Sequence, residues 1–384
     1  MKTNGKIKTL SVSDCHLGNR LGTTEHIISN LNKLLPDSNK LADVDLLILA
    51  GDVFDEGIYL SDVNTATIQI WMVRVLTICK KWNIILRILE GTPSHDRKQS
   101  KQFIILNEAL GLDINIRYID ELYIEYIEDL KINILYVPDE WRADNNQTQQ
   151  EVISLLKKNN LEKVDYAIMH GCFEHQLPKM KEIPFHSAEF YLSIVKKYIF
   201  IGHVHIPSRF DRILAQGSTD RLAHNEEHDK GMFCVEAYNE SNELDIVSFI
   251  ANPNPTIFKT ISIIGLSKLE AEVLLKDTII ELSTDKYKDT PKFIRILCEK
   301  QDGNEDTVAS YKQIYTNIKW SIKHIDTSKT QISDKVTPTI FQPTIINENT
   351  ILHLMKTRLE NIGIDNNILQ QSLEILNKLK GQIR

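Results

Sequence analysis

The sequence predicts an α/β protein with a large layered domain, a small α+β unit after it, and a helical C-terminal end. Three observations carry this expectation. Over the first 250 residues, short apolar runs alternate with longer stretches of helical periodicity, as in layered α/β domains. At residues 251–256 the run Ala-Asn-Pro-Asn-Pro-Thr breaks the pattern and marks a boundary. At residues 326–349 a stretch rich in Thr, Ser, Asp, Asn and Pro reads as a tether before two short helical patterns.

The clearest strand candidates are residues 7–12, 45–50, 84–89, 166–169 and 198–201, each a short apolar run closed by turn residues. Between the second and third, a helix is predicted over 62–81. Ile68, Trp71, Met72, Val75, Leu76 and Cys79 recur there at helical spacing, and Ser61 or Asp62 is placed to cap it. Packing against a sheet is the expected role of that stripe. In the small unit, residues 258–264 and 292–297 read as strands and 268–276 as a helix. The terminal helices, about 350–361 and 366–380, flank the Gly363 turn, and Leu369, Leu373, Leu376 and Leu379 form one stripe of the second. By pattern alone such a pair either folds back or awaits a partner. The expected division is therefore 1–255, 256–325, a linker at 326–349 and a helical segment at 350–384.

At 384 residues the chain exceeds one ordinary core. It has no apolar run of 18 residues and no signal-peptide stretch at its start, so a soluble, cytoplasmic protein without membrane contact is expected. The five cysteines are scattered, which argues against a disulfide framework and against a thiolate zinc site. A net charge of −7 opposes holding nucleic acid by global attraction. Any such binding must rest on local basic clusters, metal ions or a second protein. Arg97, Lys98 and Lys101 form one such cluster, whose bland role is a solvated helix start.

Chemistry gathers at the ends of the five strands. They run into Ser13-Asp14-Cys15-His16, Gly51-Asp52-Val53-Phe54-Asp55, Gly91-Thr92-Pro93-Ser94-His95-Asp96, His170-Gly171 and Gly202-His203-Val204-His205. Ligands bind outside the carboxyl ends of strands in open α/β sheets, so the five motifs are expected to converge on one cleft. Asp-x-His and His-x-His each put two ligands on one face of a turn. A mixed imidazole and carboxylate set suits borderline divalent ions such as manganese, iron or zinc. One carboxylate bridging two ions about 3.5–4 Å apart would make a clamp for phosphoryl chemistry. A single histidine at a strand end is usually a turn residue; five motifs together favour metal. His26, His175, His186, His224, His228, His324 and His353 lack such partners and receive no functional role.

In this order the motifs resemble those of the calcineurin-like metallophosphoesterases: Asp-x-His, Gly-Asp-x-x-Asp, Gly-Asn-His-Asp/Glu, a later His, and Gly-His-x-His. More narrowly the chain is similar to SbcD-type DNA repair nucleases, including those of T-even-like phages. That match adds residues 51–57 and the Gln216-Gly217-Ser218-Thr219-Asp220-Arg221 stretch. The resemblance covers about residues 5–260; beyond them only position and element order agree. It implies a sandwich of two sheets flanked by helices, with a small capping domain. It implies two divalent ions, manganese foremost: one held by Asp14, His16 and His205, the other by His170 and His203, with Asp52 bridging. His95 would be the catalytic histidine, oriented by Asp96, and Asp55 would support the ligands. The implied activity is DNA exo/endonucleolytic hydrolysis by a metal-activated water, in a homodimer bound to an SbcC-like coiled-coil ATPase through residues 350–384. The sequence departs from the family where Ser94 stands in place of Asn and the loop is two residues longer. Two other readings stay open: a phosphodiesterase for small substrates, and a catalytically weak scaffold for the ATPase.

Overall fold

The structure is a computed structural model and describes residues 5–19, 23–59, 61–139, 141–142, 144–176, 184–238, 244–299 and 304–325. Residues up to Ile325 cluster as one compact unit. The expected linker at 326–349 and helical segment at 350–384, with His353, lie outside the described residues.

The chain opens with β1 (Lys6–Val12), α1 (Thr24–Leu34), β2 (Leu46–Ala50), α2 (Thr65–Trp82), β3 (Ile85–Leu89), α3 (Gln102–Ala109) and β4 (Ile116–Ile119). It continues with β5 (Tyr123–Ile127), β6 (Ile132–Val137), α4 (Asn145–Lys158), β7 (Val164–His170), α5 (Ala188–Ile194), β8 (Val195–Gly202), β9 (Ser208–Phe210) and β10 (Ile213–Ala215). β11 (Gly231–Tyr238) and β12 (Ile246–Ala251) complete the large part. The small unit comprises β13 (Ile257–Ser262), α6 (Lys268–Leu282), β14 (Lys292–Cys298), α7 (Glu305–Ile314) and β15 (Ile318–His324).

Two six-stranded sheets result, in the orders β12-β11-β1-β2-β3-β4 and β5-β6-β7-β8-β10-β9. Strands β1 to β4 are mutually parallel, as are β6, β7, β8 and β10; the antiparallel pairs lie towards the edges. The sequence of β2, Leu-Leu-Ile-Leu-Ala, explains its place: a strand covered on both faces needs apolar side chains on both. Leu46, Ile48 and Ala50 meet Ile134, Tyr136, Tyr166, Ile168 and Phe200 of the second sheet. Leu47 and Leu49 point the other way, onto Ile27 and Leu31 of α1 and Trp71, Met72 and Val75 of α2. Beyond the second sheet, Val152 and Leu156 of α4 and Tyr191 of α5 pack on Leu135, Ala167 and Met169. The expected sandwich of two sheets flanked by helices is therefore the observed one.

The helix stripe read from the sequence lies against the first sheet as expected, but its start does not. Asn64, not Ser61 or Asp62, is the N-cap residue and makes no side-chain cap bond, while Asp62 Oδ1 accepts from the Asn64 amide at 2.7 Å in the turn before the helix. In the small unit the strands β13, β14 and β15 are all parallel. Its α+β reading is corrected to β-α-β-α-β, because parallel neighbours need long crossovers and α6 and α7 supply them. Helix α6 begins with a capping box between Ser267 and Glu270. No helix among the described residues is long and apolar enough to cross a membrane.

Candidate metal centre

The strand ends do converge, but from two sheets rather than along the edge of one. Asp14 and His16 follow β1, Asp52 follows β2 and His95 follows β3 in the first sheet; His170 ends β7, and His203 and His205 follow β8 in the second. Here three groupings have ligand atoms mutually within 4.8 Å: Asp14, His16 and His205; His16, Asp52 and His95; and Asp52, His170 and His203. All seven residues expected at the site are thus in one cluster.

The backbone is bent to achieve this. Asp14, His16, Asp52 and His203 have φ of 50°, 48°, 50° and 99°, in the left-handed region that non-glycine residues occupy at a cost of about 1–3 kcal/mol each. Neighbouring strand ends hold them there: the Asp14 amide donates to Gly51 O at 3.0 Å, the His16 amide to Asp52 O at 3.1 Å, and the His203 amide to Asp14 Oδ1 at 2.9 Å. Gly91 is required by close approach, since a Cβ there would run into the backbone nitrogen and Oδ1 of Asp52.

Hydrogen bonds on the outer ring nitrogens fix how the imidazoles face inward. His16 Nδ1 donates to Asp55 Oδ1 and His205 Nδ1 to Glu226 Oε1, each at 2.9 Å. Both Nε2 atoms are thereby turned inward, and they face one another at 3.1 Å. His170 Nδ1 donates to the Ala50 carbonyl at 2.7 Å, and its buried Nε2 has no hydrogen-bond partner. Asp52 Oδ1 lies 3.3 Å from that Nε2. Burial resists a charge on His170, yet the Asp52 carboxylate draws its pKa well above the ordinary imidazole range. Burial likewise resists ionisation of Asp52, and His170, His95 and His16 overcome it and hold its pKa far below the usual value. Positive charge is what this cluster of carboxylates and inward-turned ring nitrogens favours, and divalent cations held by imidazole and carboxylate supply it.

Two expectations about the loop after β3 are corrected. Asp96 does not orient His95. Its Oδ1 accepts from the Phe54 amide at 2.9 Å, and Oδ2 from the amides of Asp52 at 3.0 Å and Gly91 at 2.8 Å. It is a buried clamp on the two loops, and burial, with Asp52 nearby, pushes it up to about 7 against those donors. The partner of His95 is Asp52, whose Oδ2 accepts from Nδ1 at 2.9 Å and raises the His95 pKa. Nor does Ser94 stand at the centre: it is exposed, and only its carbonyl is engaged, by Arg97 Nε at 3.0 Å. Thr92 faces the centre instead, with its amide 2.6 Å from Asp52 Oδ1 and its hydroxyl 3.2 Å from Asp52 Oδ2 and 3.4 Å from His203 Nδ1. The two extra residues bulge outward, so the residue directly after Gly91 takes the inward position.

Several supports were not visible in the sequence. Asp139, just beyond β6, has Oδ2 3.7 Å from His203 Nδ1. Glu226 lies 21 residues after His205 in no motif. Burial resists its charge, but the His205 hydrogen bond and the Lys230 ammonium hold it down at about 2. Lys230 is fully buried and donates to Glu226 Oε2 at 2.8 Å, Ser218 Oγ at 2.8 Å and the His205 carbonyl at 2.9 Å. Glu226 therefore fixes both the tautomer and the ring plane of His205. Glu226→Ala is expected to weaken manganese binding about 10–100-fold, as loss of an imidazole-orienting carboxylate does, measured by calorimetric titration. An unchanged affinity would show that His205 holds no metal or needs no such support.

The Gln216–Arg221 stretch also has a structural account. Asp220 is buried and accepts from Thr256 Oγ1 at 3.1 Å and Asn30 Nδ2 at 3.2 Å, tying α1 to the start of the small unit. In the basic cluster, Lys98 pairs with Asp120 at 2.9 Å.

No family model matches the chain, and no curated protein matches it. One solved crystal structure is 12% identical and covers 64% of this chain and 99% of its own, with a TM-score of 0.38. Another, of the Thermus thermophilus protein TT1561, is 9% identical and covers 63% of this chain and 98% of its own, with a TM-score of 0.36.

Proposed function

We propose that this chain is a metal-dependent phosphodiesterase of the calcineurin-like metallophosphoesterase type. We further propose that it acts on DNA as the nuclease subunit of an SbcCD-like repair or recombination complex. The observation that carries the metal reading is the pair of imidazole and carboxylate clusters around Asp14 and Asp52, in which hydrogen bonds on the outer ring nitrogens turn the inner nitrogens of His16, His170 and His205 towards the carboxylates. Asp14, His16 and His205 would hold one divalent ion and His170 and His203 a second, with Asp52 between them. Such ions, manganese foremost for this donor set, polarise a phosphoryl oxygen and supply a nucleophilic water at neutral pH.

The chain's own residues do the rest. Asp55, Glu226 and the Ala50 carbonyl hold three imidazoles in their required tautomers. Asp96 keeps the loops bearing Asp52 and His95 together. His95 is partly exposed at the mouth of the cluster, and the negative Asp52 beside it favours its protonated form. It is placed to give that proton to the departing oxygen.

His95, with His16 and Asp52, also forms a grouping that could itself hold metal. The two roles separate in one experiment. His95→Ala is expected to abolish manganese-dependent cleavage of linear duplex DNA while bound manganese per chain stays the same. Loss of an ion would make His95 a ligand instead of a proton donor. If the wild type cleaves bis(p-nitrophenyl) phosphate but no DNA, the phosphodiesterase reading stands and the nuclease reading falls.

The DNA reading is supported by the similarity of the strand-end motifs and of the 216–221 stretch, and by the small unit that follows the large one. An SbcC-like ATPase, bound through residues 350–384 of a homodimer, would account for DNA binding by a chain with a net charge of −7. The division into nuclease (1–255), capping (256–325), linker (326–349) and ATPase-binding (350–384) parts belongs to the same proposal.

A further inference from the structure

Away from the strand-end cluster, the small unit gathers a cysteine, a histidine and a glutamate at one corner. Cys298 ends β14, His324 ends β15, and Glu305 opens α7. The parallel register pairs Cys298 directly with His324, so the two side chains stand next to each other on one face. Cys298 Sγ is 3.7 Å from His324 Nδ1, and that same nitrogen is 3.5 Å from Glu305 Oε1. The three ligand atoms lie within 4.8 Å of one another, with Cys298 buried and the other two exposed.

Two features set this corner apart from an ordinary polar contact. One nitrogen is shared between a thiol and a carboxylate, and neither distance is short enough for a strong hydrogen bond. A single proton on Nδ1 serves one neighbour only. The spacings do match the edges of a metal-ligand tetrahedron. With zinc–nitrogen and zinc–oxygen bonds of about 2.0 Å and a zinc–sulfur bond of about 2.3 Å, tetrahedral angles put N and S about 3.5 Å apart and N and O about 3.3 Å apart.

We propose that Cys298, Glu305 and His324 form a zinc site, with Cys298 binding as the thiolate and its proton released to solvent. A thiolate, an imidazole and a carboxylate are the donors zinc takes, and three protein ligands leave a fourth position for water. The two exposed ligands give the ion a path from solvent. Bound there, it joins the ends of β14 and β15 to the start of α7. The site is independent of the proposed phosphodiesterase centre, whose donor set contains no sulfur.

That difference makes the test specific. Cobalt(II), which takes zinc's geometry, gives an intense thiolate-to-cobalt charge-transfer band only where a cysteine sulfur is bound. Wild-type protein titrated with cobalt(II) is expected to show this band, to lose it when zinc is added, and to lack it in Cys298→Ser. His324→Ala and Glu305→Gln change exposed side chains; they are expected to weaken the cobalt affinity read from the band by about 10-fold or more. All three variants should retain the wild-type rate on bis(p-nitrophenyl) phosphate with manganese. Absence of the band in the wild type overturns the site, as does its persistence in Cys298→Ser. Equal affinity in both exposed-ligand variants also overturns it.

Discussion

Asp52→Ala is expected to lower manganese-dependent phosphodiester hydrolysis on the order of 10³-fold or more, the scale on which loss of a strong electrostatic stabiliser registers. No other side chain touches as much of the centre. Asp52 Oδ2 accepts from His95 at 2.9 Å and from Thr92 at 3.2 Å, while Oδ1 lies 3.3 Å from His170 Nε2. His16 Nε2 is 3.8 Å away, and Asp52 belongs to two of the three potential metal groupings at this centre. Its removal takes from the buried His170 imidazole the carboxylate that acts on it most strongly. Metal content should therefore fall together with rate, which separates this variant from His95→Ala, where only the rate is expected to fall. Asp52→Asn keeps the shape and removes the charge. If it retains both ions and most of the activity, charge neutralisation by Asp52 is not what holds the centre together.

Of the seven expected site residues, Asp14, His16, His203 and His205 were legible because short spacings fix them, and Asp52, His95 and His170 because each follows an apolar strand run. Asp-x-His and His-x-His place two ligands on one turn, and that proximity survives whatever the rest of the fold does. What lay further from the ligands was legible only in part. The expected convergence of the five strand ends on one cleft is observed, but their division between sheets was not readable from the strands themselves: β1, β2 and β3 belong to one sheet and β7 and β8 to the other. An unbroken apolar run in a strand such as β2 shows that both faces are covered, not what covers them. Glu226 and Asp139 act from loops whose place is set by packing, so no spacing pointed to them. Thr92 and Ser94 exchanged roles because a loop with two extra residues can bulge at either end. Scattered cysteines argued against thiolate zinc, and that argument is blind to strand register: Cys298 and His324 are 26 residues apart and adjacent across a parallel pair.

The largest expected effect on stability lies between the two sheets, away from the centre. Arg87 of β3 is 3% exposed, and its five N–H donors have five acceptors. Nε and Nη2 donate to Glu125 of β5 at 2.8 and 2.9 Å, Nη2 also to Asn115 Oδ1 at 2.9 Å, and Nη1 to the carbonyls of Leu86 and Asn115 at 2.9 and 3.1 Å. The Tyr136 hydroxyl donates to Glu125 Oε2 at 2.7 Å. The bidentate pair thus links one sheet to the other beside an apolar layer. Removing one partner strands the other without solvent, so Glu125→Ala is expected to cost about 3–5 kcal/mol in chemical denaturation. The same reasoning predicts that the pair adds far less than its rupture costs. Desolvating both charges offsets most of their attraction, so Arg87→Met combined with Glu125→Leu and Tyr136→Phe should recover most of the lost stability. A Glu125→Ala cost below about 1 kcal/mol would mean that water reaches Arg87 and that the linkage is a surface ion pair. A triple variant as unstable as Glu125→Ala would mean that the hydrogen bonds, and not the stranded charge, set the cost.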